Sequence, residues 1–177
     1  MNGRLARLEG IGFIAVSIAG TLMHFIYEWS GNNKIVALFA PVNESPWEHL
    51  KLLFFPFVIY GIFEAVKLSD EKFNVNFAKF VGITAGMLIT LSVFYVTKGA
   101  LGTSFDAVNI ASFFIGIGFA FIISYNIINK SIGRGLINGI STALLIITAI
   151  GFIYFTLYPV KIPLFLDSTN NTYGING

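Results

Sequence analysis

The chain has 177 residues, of which 55% are hydrophobic and only 11% charged, with a net charge of +2 and no cysteine. A soluble domain carries about 25% charged residues, so this chain has too little charge to cover a surface facing water. A balance this close to neutral, with no long basic run, argues against nucleic acid as a partner. The lack of Cys excludes disulfides, thiolate metal sites and a cysteine nucleophile. What remains is an all-α integral membrane protein whose first partner is the lipid bilayer.

A membrane-spanning helix needs about 20 mostly apolar residues. Residues 8–27, 47–66, 77–96, 107–128 and 136–158 meet this requirement and predict five transmembrane helices. The first is too long for the apolar region of a cleaved signal peptide and is expected to be retained. Between the first two lies "KIVALFA", residues 34–40. At ~1.5 Å of rise per residue it is too short to cross and is expected to be an interfacial or re-entrant segment. "SDEKFNVNFAK", residues 69–79, is the largest loop on its side. Gly82-x-x-x-Gly86 and Gly135-x-x-x-Gly139 are small-residue pairs at helical spacing, which let helices approach closely. Residues 1–166 are thus expected to form a single transmembrane domain, and 167–177, "DSTNNTYGING", a polar and flexible tail.

Loop lysines and arginines set orientation. A cytoplasmic N-terminus puts Arg4, Arg7, Lys67, Lys72, Lys79, Lys130 and Arg134 inside and leaves Lys34, Lys51, Lys98 and Lys161 outside. The expectation is a multi-pass protein of the cell membrane with an external C-terminus. No ionisable side chain falls near the middle of a span. Glu64 lies ~27 Å along the second helix and is expected at the interface beside Lys67. Proton-coupled pumps carry ionisable groups deep in the membrane, so their absence points instead to a site open on one side.

Both histidines of the chain, His24 and His49, fall at the same, outer end of the spans. His24 stands in "HFIYEW", with Glu28 one helical turn above it at i+4. His49 stands in "PVNESPWEHLKLLFFP", where Asn43, Glu44, Glu48 and Lys51 are crowded at the mouth of an apolar helix. A short connection makes neighbouring antiparallel helices the default, so the two halves are expected to meet. Imidazole nitrogens and carboxylate oxygens in one volume are ligands for a divalent metal such as Zn. The candidate ligands are His24, Glu28, Glu44 and His49. Glu48 is the candidate catalytic base, and Asn43 and Lys51 are candidate polar contacts for a substrate.

The same residues have plainer readings. Ser45, Pro46 and Glu48 fit a capping box, with Ser45 as N-cap and Glu48 reaching back to a backbone N–H. His24 fits a buried histidine bonded to a carboxylate. Lys51 is a cation where the helix dipole disfavours it, and fits either a side chain snorkelling to the surface or one paired with Glu28, Glu44 or Glu48. Trp47 fits an interface anchor.

"LMHFIYEWSGNN" followed by "PVNESPWEHLKLLFFP" resembles the signature of an uncharacterised bacterial family of polytopic membrane proteins, a domain of unknown function. The resemblance covers the first two spans most specifically. It implies a small multi-span membrane protein and supplies no activity, cofactor or catalytic residue. Three functions fit the residues: a metal-dependent membrane hydrolase acting on a lipid or other amphiphile, a solute- or cation-binding or transport subunit, and a structural or accessory protein whose polar cluster locks two helices. Haem ligation by the two histidines is disfavoured by the carboxylates around them. The oligomeric state is not legible.

Overall fold

The computed structural model describes residues 3–68, 74–103, 105–132 and 135–176, the side chains of 106 and 176 excepted. The chain is an all-α membrane protein. Its elements are α1 (Gly3–Trp29), the one-turn α2 (Lys34–Ala37), α3 (Pro46–Lys67), α4 (Val75–Leu101), α5 (Asp106–Asn129) and α6 (Leu136–Leu157). A two-stranded hairpin follows, β1 (Leu166–Asp167) with β2 (Thr172–Tyr173), and then a 3-10 turn over Gly174–Asn176. Among the described residues five helices are long and apolar enough to cross a membrane, and they coincide with the five predicted spans, the first and third extending a turn or so further. Lys72 and Arg134 lie outside the described residues.

Helix α3 occupies the centre and packs against α1, α4, α5 and α6. This is why Leu50, Leu53, Phe54 and Phe57 are buried on it, while Ile11, Ile14 and Ile18 of α1 and Ile146, Ile147 and Ile150 of α6 remain exposed. Apolar residues that face outward here face hydrocarbon, where they cost nothing. Helices α4 and α5 form the closest pair, and small residues explain it. A Cβ on Gly82 or Gly86 would run into the Ala120 or Gly116 carbonyl of α5. Gly139, by contrast, has open space where a Cβ would be, so the Gly135/Gly139 pair brings no helix close.

At the edges one expectation holds and one is corrected. Segment 34–40 does not cross, as its length predicts, and holds only the one-turn α2. Asn33 caps α2 by accepting from the Ile35 N–H at 2.8 Å, and Lys51 of α3 donates to the Ala37 carbonyl at its other end at 2.9 Å. The polar tail is packed, not loose. The Trp47 backbone N–H donates to the Leu164 carbonyl at 3.0 Å, and Asp167, 1% exposed, accepts from the backbone N–H of Thr169 at 2.8 Å and of Glu44 at 3.2 Å. A buried carboxylate needs such donors, and meeting them ties the hairpin over the mouth of α3. Trp47 is likewise an inner packing residue. Its ring lies 4.7 Å from that of Phe152 and 5.0 Å from that of Phe165.

Candidate metal centre

The mouth of α3 is built from local rules. Ser45 has extended backbone (φ −72°, ψ 148°) and its Oγ accepts from the Glu48 N–H, with Pro46 at N1. The other half of the expected capping box is absent. The Ser45 N–H donates instead to Asn43 Oδ1 at 3.0 Å, an Asx turn. Asn43 Nδ2 in turn donates to the Gly174 carbonyl at 3.1 Å. Asn43 therefore shapes the loop and fastens the tail to it.

Glu48 leaves its cap because a stronger partner is available. It is 1% exposed, and its carboxylate accepts from Lys51 Nζ at 2.7 Å, from Thr156 Oγ at 2.8 Å and from the Val42 N–H at 3.1 Å. Lys51 is wholly buried and also donates to the carbonyls of Ala37 at 2.9 Å and Ala40 at 3.3 Å. This pair ties α2, α3 and α6 together. These groups are buried and bonded to one another, so Lys51 does not snorkel to the surface. The buried Lys51 and Lys79 also carry no loop charge from which orientation can be read.

Above this frame, Glu44 extends between the two histidines. Its Oε2 lies 3.2 Å from His49 Nε2 and its Oε1 3.7 Å from His24 Nε2. The two imidazole rings are 5.4 Å apart. One ligand atom from each of His24, Glu44 and His49 lies within 4.8 Å of the other two. The histidines meet because Gly20, one turn below His24, lets α1 touch α3. A Cβ there would strike the Leu52 carbonyl. Glu28 does not join them and stands exposed on the outer rim. Its place beside the histidines is taken by Glu44, whose backbone N–H is held by Asp167.

Hydrogen bonding orients His49. Its Nδ1 lies 3.0 Å from the Ser45 carbonyl, which can only accept, so Nδ1 carries a proton. Nε2 then points at a carboxylate 3.2 Å away. A lone pair facing a carboxylate so closely requires a cation between or on them, either a proton or a metal ion. A ligating histidine whose other N–H is held by a backbone carbonyl is the usual arrangement in metal sites. Glu44 titrates below the ordinary carboxylate range. The hydrogen bond with His49 is the largest cause, partly opposed by burial and reinforced by the charges of His49 and His24.

Two grooves converge on this cluster. One runs from Glu44 and His49 past Thr90, Asn109 and Ser112 to Ser168 and Thr169 of the hairpin, and is polar on its far side. The other runs from His24 and His49 between α1 and α5 along Phe25, Ile110, Phe113 and Phe114. Phe25, Ile110 and Phe114 are exposed, so this groove opens onto the lipid-facing surface. Sequence reasoning missed Asp167, Asn109 and the hairpin hydroxyls. The Asp-x-Thr of an Asx turn was a legible signal for Asp167. Nothing local marks Asn109, which comes from a helix outside the motif.

The chain matches the model of a family of unknown function (DUF6512) over residues 5–175 and belongs to that family. No curated protein and no solved structure matches it.

Proposed function

We propose that His24, Glu44 and His49 bind one divalent metal ion, such as Zn²⁺, and that the protein is a metal-dependent membrane hydrolase acting on a lipid or similar amphiphile. The observation that carries this reading is the convergence of two Nε2 atoms and a carboxylate within 4.8 Å of one another. Two imidazoles and a carboxylate leave one position of a tetrahedral zinc for water, the arrangement of catalytic sites. An ion held by His24, Glu44 and His49 would lower the pKa of a bound water toward neutrality and so supply a nucleophile. The groove along Phe25, Ile110 and Phe114 suits an acyl chain arriving from the bilayer, and Asn109, Ser112, Ser168 and Thr169 suit its polar head.

A second reading has its own support. With Nδ1 on the Ser45 carbonyl and Nε2 at 3.2 Å from Glu44, a protonated His49 makes an ion pair that locks α1, α3 and the loop without any metal. Solute or cation binding without turnover uses the same atoms. The three part experimentally. Purified protein given zinc and a panel of phospholipids and acyl esters in mixed micelles should release product, and a chelator should stop it. Bound metal without product favours binding or transport. Neither metal nor product favours the lock.

The proposed orientation puts the N-terminus in the cytoplasm and this site on the outer face. No native cysteine interferes with labelling. A cysteine at the exposed Asn33 should react with an impermeant reagent on intact cells, and one at the exposed Lys130 should not. The opposite pattern inverts the orientation.

A further inference from the structure

At the far end of the bundle the structure holds a second polar cluster, on which the proposed hydrolase makes no demand. Glu9 of α1 and Glu64 of α3 flank Lys79 of α4, and all three are buried, with Glu64 at 0% exposure. Lys79 Nζ lies 3.0 Å from Glu9 Oε2 and is in direct ion-pair contact with Glu64 Oε2. Ser124 of α5 donates to Glu9 Oε1 at 2.7 Å. The ammonium sits over the rings of Phe121 at 4.8 Å and Phe57 at 5.1 Å, so an aromatic cage closes it off. Glu9 precedes His24, and His49 precedes Glu64, by the same fifteen positions, which places this cluster ~22 Å from the histidines along both helices.

The charges do not balance. With both carboxylates ionised and Lys79 protonated, the cluster carries a net negative charge out of contact with water. An uncompensated buried charge costs several kcal/mol, and groups so placed neutralise instead. Two carboxylates that share a site resolve this by keeping one proton between them. A second feature points the same way. Glu64 Oε1 is buried and has no hydrogen-bond partner among the described residues. An ionised oxygen left so is costly, whereas a protonated one is neutral. Among the described residues, Tyr60 of α3 also faces the cluster, and it already donates its O–H to the Leu8 carbonyl at 2.6 Å and supplies no proton. Ser124 is the polar contribution of α5, and α6 carries no acidic or basic side chain.

We infer that Glu9 and Glu64, bridged by Lys79, form a proton-binding site that holds one exchangeable proton at neutral pH. Binding adds a proton to one carboxylate oxygen and takes the cluster from a charge of minus one to zero. Lys79 serves whichever carboxylate is ionised, so the proton belongs to the pair.

Infrared spectroscopy of the purified full-length protein tests this, because a protonated carboxyl has a C=O stretch resolved from that of a carboxylate. The wild type should show a carboxylic-acid band at neutral pH that shifts on exchange into D2O. Glu9→Gln and Glu64→Gln should each abolish that band. One removes the carboxyl, and the other leaves its partner alone with Lys79 and therefore ionised. A band missing from the wild type, or surviving in either folded variant, overturns the inference. Where a variant does not fold, wild-type protein with ¹³C-labelled glutamate carboxyls decides. The band must move with the label, and a band that does not move overturns the assignment.

Discussion

Replacing Lys51 with Met removes an ammonium that donates to Glu48 Oε2 at 2.7 Å and to the carbonyls of Ala37 at 2.9 Å and Ala40 at 3.3 Å. Glu48 remains buried, with only Thr156 Oγ and the Val42 N–H as donors. Removing one partner of a buried pair costs about 3–5 kcal/mol, because the other charge stays behind. The stranded carbonyls add about 1–3 kcal/mol each when no water reaches them. Lys51→Met should therefore destabilise by at least about 3 kcal/mol, and Glu48→Leu, which strands the ammonium, by a similar amount. The double variant Glu48→Leu/Lys51→Met strands the same carbonyls and the Val42 N–H but no charge. Thr156 keeps its bond to the Phe152 carbonyl at 2.8 Å. The double variant should be no less stable than Lys51→Met alone, with a coupling above about 2 kcal/mol. Unfolding in detergent can be followed by the fluorescence of Trp47, which packs against Phe152 beside this frame. Additive losses would refute a coupled pair. Glu48→Gln adds a separate check, because a folded Glu48→Gln protein should retain its metal. Loss of metal there would return Glu48 to the site.

Ser45→Ala removes the hydroxyl that caps α3 and should cost about 1 kcal/mol of stability, with metal affinity unchanged. A folded variant that no longer binds metal would make the hydroxyl part of the site. Asp167→Ala releases the Glu44 backbone and should weaken zinc binding about 10–100-fold in competition with a fluorescent chelator. Unchanged affinity would mean that Glu44 is fixed by other contacts. The pH dependence has a defined sign. Glu44 titrates below the ordinary carboxylate range, so the stability it contributes is present above its unfolded pKa and is lost as pH falls through the lower folded value. It is therefore still ionised where imidazoles protonate, and zinc affinity should fall as pH drops through the imidazole range, with protons released on binding. Affinity that holds down to the carboxylate range would refute imidazole ligation.

The spans were legible because composition and apolar length alone determine them, and the meeting of His24 with His49 was legible because a short connection joins their helices. Glu28 was a candidate ligand on helical spacing and Glu44 on its place just before α3, and of the two Glu44 stands between the histidines. Spacing does not register a loop carboxylate that reaches between two helices once Asp167 holds its backbone. The partners of Glu48, Lys51 and Thr156, are three and 108 positions away, and only the fold shows that both bond its carboxylate. Glu64 was expected at the interface beside Lys67, yet it is buried against Lys79, a residue taken for a loop charge. Charge near the end of a span does not by itself reveal whether it faces headgroups or a neighbouring helix.

Metal content, measured on the wild type and on His24→Ala, His49→Ala and the double variant, tests the shared site most directly. After loading and dialysis the wild type should hold about one zinc per chain, as a single three-ligand centre requires. Each single variant should hold none, and the double variant should be no worse than either. A wild type without metal, or binding that survives in both single variants, would contradict a metal centre built on His24, Glu44 and His49.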